Sequence, residues 1–341
     1  MRRVTVAIVM VLIALVFVVP VSAWSGLALW FRFPGPEWVR GTAAGIFVLL
    51  GLGTIVALFT RRRLLGLTGF VLAFAGLLLW WGTISPPESG EWHPEVARQT
   101  TGKLDGDMLT LSDVRDFGWR SEDDFTEHWE SRSYALAKLK TLDLFLSYWA
   151  GPEMAHVIMS FGFEDGQYLA WSVEVRRERS SDFSPVADAF RNHTIIYLAT
   201  TERDSIRLRA NIRGEDVRLY RLNTSPDRAR LLLLEYVAES NALAERPRFF
   251  NSITANCATT VFKLVRAAGG TYPLDWRLIV NGFLPGYLYD HGAVDTSIPL
   301  SELIKHAKIS DKARAAGDSP DFSRLIRVGV PTPRPARPGG S

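Results

Sequence analysis

The chain has 341 residues, 47% of them hydrophobic and 22% charged, with a net charge of +3 and a pI near 9.0. That length suits a membrane segment plus one sizeable domain, and the mild charge, with basic residues alternating with acidic ones, offers no patch for a nucleic acid. A single cysteine excludes an internal disulfide and a cysteine-rich metal site, and the lack of a GxGxxG or Walker loop leaves nucleotide chemistry unsupported, so no cofactor is expected.

Residues 1–85 read as a three-helix transmembrane anchor. Val4 to about Leu29, Gly41 to Thr60 and Leu64 to Ile84 are apolar runs, the last ending in Trp80 and Trp81. Each has about the 20 residues that span a bilayer core. Val21-Ser22-Ala23 resembles a signal-peptide cleavage site, but the apolar run continues to Phe31, which favours retention of the first helix. Arg2 and Arg3 predict a cytoplasmic N-terminus, and Arg61, Arg62 and Arg63 a cytoplasmic turn, by the positive-inside rule. Three crossings then place everything after Pro86 outside the cytoplasm, as expected of a bacterial inner-membrane protein with a periplasmic domain.

Residues 86–325 read as one extracytoplasmic α+β domain around an antiparallel sheet. Asp107 to Val114 predicts a strand. Ser121 and Asp124 resemble a capping box opening a helix to about Lys140. Thr141 to Trp149 is strand-like. His156 to Glu178, HVIMSFGFEDGQYLAWSVEVRRE, reads as a hairpin turning at Asp165-Gly166. A two-residue loop would mix apolar and polar faces. A three-residue loop, Glu164 to Gly166 with Gly166 left-handed, gathers Val157, Met159, Phe161 and Phe163 with Leu169, Trp171, Val173 and Val175 on one apolar face. His156 then stands opposite Glu174 on a polar face, with Ser172 and Arg176 beside them. Such a pair is commonly only a surface contact, yet a carboxylate that takes the imidazole N–H also fixes the tautomer and stabilises the imidazolium.

Farther on, Pro185 to Arg191 predicts a short helix, and His193 to Thr200, Ser205 to Arg213 and Asp216 to Leu222 predict strands. Pro226 to Glu245 predicts a helix with a broad apolar face. Thr254 and Asn256 precede Cys257, and Val261, Leu264, Val265 and Ala268 follow at helical spacing until Gly269 and Gly270. Cys257 therefore falls in a first helical turn, where free N–H groups and the dipole favour a thiolate; a small buried residue is the plain alternative. Trp276 to Asn281 predicts a helix broken near Pro285, and Ser301 to about Ala316 another. Residues 326–341, proline- and arginine-rich from Gly329 on, read as a disordered tail. The remaining histidines, His93, His128, His193, His291 and His306, lack metal-ligand spacing and read as solvated or capping residues.

A cysteine at a helix start and a histidine on a strand with a polar partner are the parts of a papain-like site. The histidine comes first here, as in circularly permuted papain-like enzymes. Four strings, HVIMSFGFEDGQYLAWSVEVRRE, TTERDSIRLR, ALAERPRFFNSITANCATTVF and LPGYLYDHG, resemble the periplasmic catalytic domain of the bacterial Lnb family, over about Glu91 to Ala316. The resemblance implies a permuted papain-like fold, lipoprotein N-acyl transfer, Cys257 as nucleophile and His156 as base. Glu174 as orienting carboxylate follows from the hairpin register, and Asn256, Ser172 and Arg176 are candidate substrate or oxyanion contacts. In the lipoprotein N-acyltransferase of that family the membrane helices follow the catalytic domain, whereas here they precede it. The expected partners are the membrane and a lipid or lipoprotein substrate. Two other readings stay open: a cell-wall peptide amidase and a non-catalytic envelope-binding domain.

Overall fold

The computed structural model describes residues 2–333 apart from 182 and 253. The chain divides into two units, residues 1–87 with 184–193 and residues 88–183 with 194–341.

The first unit is built on apolar helices. α1 (Arg2–Ile13) runs through a π-helical turn, Ala14–Val18, into α2 (Val19–Arg32); α3 (Glu37–Leu58) and α4 (Arg63–Thr83) follow. Among the described residues, three helices are thus long and apolar enough to cross a membrane. Phe70 is fully buried between Phe17 and Phe47. Leu49, Val56, Leu64, Leu72 and Leu79 stay uncovered, an outer surface suited to lipid rather than water. Val21, Ser22 and Ala23 lie within α2, and Ser22 is buried. The short helix α5 (Pro185–Ala189), capped by Ser184, belongs to this unit. After it, Phe190 packs on Trp24, Phe31 and Trp81, and Arg191 donates to the Trp81 and Ile84 carbonyls.

The second unit is α+β. Its strands are β1 (Thr101–Asp105), β2 (Met108–Arg115), β3 (Gly118–Trp119), β4 (Phe125–Thr126), β5 (Trp129–Ala135), β6 (Leu139–Tyr148), β7 (Ala155–Phe163), β8 (Tyr168–Arg176), β9 (Thr194–Thr200) and β10 (Asp216–Arg221). Its helices are α6 (Glu202–Arg207), α7 (Pro226–Glu245), α8 (Cys257–Ala267), α9 (Leu284–Asp290), α10 (Leu300–Ala307), α11 (Ser310–Ala316) and α12 (Phe322–Leu325). Eight strands form one sheet in the order β1-β2-β9-β8-β7-β6-β10, with β5 also on β2. The sheet is mixed rather than wholly antiparallel, because β2 meets β9 in parallel at Arg115 and Thr200.

The β7–β8 hairpin takes the three-residue loop. Gly162 pairs with Tyr168, Ile158 with Ser172, and Gly166 is left-handed at φ 82°. Its apolar face, Val157 to Phe163 and Leu169 to Val173, packs under α7 and α8 in the main core. The opposite face is not open. Ile158, Ala170, Phe145 and Leu219 are covered by Ile206, Ala210, Ala313, Phe322 and Ile326 from the elements after β9 and β10. The polar side chains on that face are therefore enclosed.

Four sequence expectations are corrected. The region after Ser121 forms β4, β5 and a 3-10 turn, Leu136–Lys138, not a helix; Arg120 draws Asp124 into a tight turn that Ser121 closes. Ser205 to Arg213 is not a strand but α6 running into a π-helical segment, Leu208–Ile212, started by the Thr201 side chain on the Asp204 amide. Pro285 begins α9 rather than breaking a helix, as proline suits a first helical turn. The packed fold also continues past 325. Ile326 is fully buried, and Arg327 pairs with buried Asp143 and Glu202. Residues 334–341 of the expected tail lie outside the described residues.

Candidate active site

Asn256 starts α8. Its Oδ1 accepts the Thr259 amide at 2.9 Å, and the Thr259 hydroxyl accepts the Asn256 amide at 3.1 Å, a reciprocal cap. Its Nδ2 donates to the Ser252 carbonyl. Its carbonyl and one N–H of its side-chain amide are thus committed to the helix start. The effect of the cap is to fix Cys257 at the first helical position.

His156 stands on β7, and the hairpin register that pairs Ile158 with Ser172 sets it opposite Glu174. Its Nε2 lies 2.6 Å from Ser172 Oγ and 3.0 Å from Glu174 Oε1. Ser172 donates to the same carboxylate at 2.6 Å, so Ser172 Oγ is left to accept from the ring N–H. Ser172 therefore bridges His156 and Glu174. The His156 side chain also acts on the Cys257 thiol and makes it more acidic.

Two further residues complete the arrangement. Arg209 Nη2 donates to Glu174 Oε1 at 2.9 Å. Asn281 accepts the Ala155 amide on Oδ1 at 2.8 Å, which turns its Nδ2 to Cys257 Sγ at 3.8 Å. Neither carries a local signal in the sequence. Arg209 falls in a stretch that reads as a strand, and Asn281 lies 24 residues after the cysteine in a turn-like Asn-Gly. Gly282 then packs its backbone on the β6–β7 turn so closely that a Cβ there would lie 2.0 Å from the Pro152 carbonyl. Arg176, by contrast, donates to the Val96 and Ala97 carbonyls and stacks on Trp92. Those contacts tie it to the segment before β1.

The charges follow from these contacts. Burial alone would raise the Cys257 thiol, but the His156 hydrogen bond and charge, with the Val157 amide, outweigh it and bring the thiol below its ordinary value. Burial and the Arg209 charge press the His156 imidazolium to lose its proton. The Glu174 charge and the hydrogen bonds to Cys257 and Glu174 prevail, raising it to about 9. Burial opposes the Glu174 anion, yet His156, Arg209 and Ser172 hold its carboxyl well below the usual range. The thiol is thus made easier to ionise and the imidazolium harder to discharge, the direction in which a cysteine nucleophile is activated.

An apolar cavity of about 130 Å³ lies beneath α8. Ala258 and Val157, the residues following Cys257 and His156, are part of its wall, with Met159, Val261, Leu284 and Leu288 farther in. Among the described residues, one group has metal-ligand spacing: Asp116, His128 and Glu130. Arg132 and Arg203 already pair with Asp116, and Arg132 with Glu130, so the carboxylates are neutralised from within.

Residues 125–282 match the family model of the Lnb N-terminal periplasmic domain. The match bears out the sequence resemblance over a shorter stretch than 91–316, one that holds His156, Glu174, Cys257 and Asn281. No curated protein and no solved structure matches the chain.

Proposed function

We propose that the chain is a membrane-anchored cysteine acyltransferase or hydrolase of the Lnb type, with a permuted papain-like site. The observation that carries this reading is Cys257 at the start of α8, its thiol made more acidic by a histidine whose Nε2 is held by Ser172 and Glu174. The Cys257 thiolate attacks an ester carbonyl of a lipid-bearing envelope substrate. The oxyanion is met by Asn281 Nδ2 and by backbone N–H groups at the start of α8. The His156 imidazolium gives its proton to the leaving alkoxide, and an acyl thioester remains on Cys257. An incoming amine, or water, then passes a proton to His156 and attacks the thioester, which returns the thiolate.

The cavity wall beginning at Ala258 and Val157 supports an apolar acyl group over a peptide. The three apolar helices support a substrate that resides in the membrane. With Arg2, Arg3 and Arg61–Arg63 on the cytoplasmic side, the second unit works in the periplasm.

The test is intact-mass analysis of the detergent-solubilised protein after incubation with envelope phospholipids and a diacylated lipopeptide. Wild type is expected to gain a fatty-acyl mass that hydroxylamine removes, and Cys257→Ser and His156→Ala to gain none. Muropeptide cleavage without an acyl adduct would replace this reading with an amidase. An inert Cys257 with an intact phenotype in Cys257→Ala would replace it with a binding domain.

A further inference from the structure

The second unit carries an apolar surface that its core does not use. Trp149 and Met154 on the β6–β7 turn, Phe183 after β8, and Leu274, Trp276, Ile279 and Phe283 before α9 are all exposed, Trp276 by 58% and Leu274 by 77%. They form a cluster rather than a scatter. Trp149 meets Phe183 edge-on at 5.9 Å, and Trp276 lies 5.4 Å from Phe283. The two halves are joined where the Gly282 amide donates to the Glu153 carbonyl and the Tyr148 hydroxyl donates to the Gly282 carbonyl. Among the described residues of this unit, Trp149, Phe183, Trp276 and Phe283 are the exposed large tryptophan and phenylalanine side chains, and all four lie here. The same segment supplies Asn281, so the cluster borders the thiol.

We propose that this cluster docks on a phospholipid surface and sets the mouth of the Cys257 site against it. Contiguous exposed apolar surface is uncommon on a domain in water and marks a site of interaction. Tryptophan-rich clusters with aliphatic neighbours suit the bilayer interface, where ring and headgroup meet. Chain continuity selects lipid as the occupant. Phe183 is followed directly by 184–193, which belongs to the helical unit. There Arg191 lies over the Trp81 ring at 4.7 Å and binds the carbonyls at the end of α4. The linker from Thr83 to Glu88 tethers the unit a second time. Residues 334–341, RPARPGGS, offer no large apolar side chain to cover the cluster. The docking does not depend on which bond Cys257 attacks.

The test uses the full chain in nanodiscs of phosphatidylethanolamine and phosphatidylglycerol. In a Cys257→Ser background, single cysteines are placed by Trp276→Cys, Phe183→Cys and, as a control on α11, Asp311→Cys. Each is labelled with an environment-sensitive fluorophore, and doxyl-labelled phospholipid is the quencher. At least twofold quenching at 276 and 183, with none at 311, is the expected result. No quenching at 276 and 183, or equal quenching at all three, overturns the docking. Dimers by mass photometry without lipid quenching would assign the surface to a second copy instead. A chain with Cys257 intact that gains no fatty-acyl adduct in the same nanodiscs, beside quenching at 276 and 183 in the Cys257→Ser variants, would overturn the proposed chemistry and leave the docking standing.

Discussion

His156 shows how one side chain's properties are set by its neighbours. Nε2 faces Ser172 and Glu174, and the ring in turn makes the Cys257 thiol more acidic. Because the imidazolium is raised to about 9, activity that needs its proton is expected to fall as pH rises through that value. Glu174→Gln removes an anion that raises His156, so this alkaline limb should move to lower pH in a pH–rate profile. Cys257 is the one cysteine, and its alkylation by iodoacetamide reports the thiol alone. In His156→Ala the burial that raises the thiol remains and the opposing imidazolium is gone, so alkylation should titrate at higher pH than in wild type. Asn281→Ala is expected to lower kcat by about 10²–10³-fold with little change in KM, since its donor acts on charge that develops in the transition state. Alkylation at a wild-type rate would show that the thiol itself is intact. The placing of His156 opposite Glu174 was legible in the sequence because a hairpin register is local. Asn281 was not, because its placement depends on Ala155, 126 residues earlier in the chain.

At the scale of elements, α8 and the β7–β8 hairpin formed as their residues predict, and for local reasons. Asn256 and Thr259 close a cap between neighbours, and Gly166 relieves a left-handed turn within three residues. Asn256→Ala should therefore cost about 1 kcal/mol of stability. Asn256→Asp should keep both the helix and the adduct on Cys257, which separates a capping role from an oxyanion role. Thermal melts with intact-mass analysis read both. The stretches after Ser121 and from Ser205 to Arg213 misled because alternation and capping signals are short. Arg120 with Asp124 in one case, and Thr201 with Asp204 in the other, turned the chain before those patterns could propagate.

At the scale of the molecule, the outer helical layer makes the polar sheet face an interior. Asp143 and Glu202 are fully buried there and share Arg327, which also lies 3.7 Å from the Tyr168 ring. Arg327→Ala leaves two carboxylates in low dielectric with one cation fewer. A loss of about 3–5 kcal/mol is expected, read as a lower midpoint of thermal unfolding in detergent. The packed chain runs past 325, and its arginine there was not legible because an arginine in a proline-rich context reads as solvated until its partners are known. Those partners lie 125 and 184 residues away.

The sequence by itself determined what rests on neighbours along the chain. The apolar runs became three helices, the alternation and Asp-Gly turn became a hairpin in one register, and Asn256 with the periodicity after it put Cys257 at a helix start. These are short-range effects of hydrophobic spacing, capping and backbone sterics, complete within one or two turns. The tertiary structure decided what depends on burial. It closed the polar face, made the His156–Glu174 pair an enclosed one held by Arg209, brought Asn281 to the thiol, and left Trp149, Phe183, Trp276 and Phe283 uncovered. Burial and dielectric belong to the packed chain, and no local pattern encodes which distant segment will cover a face or leave it bare.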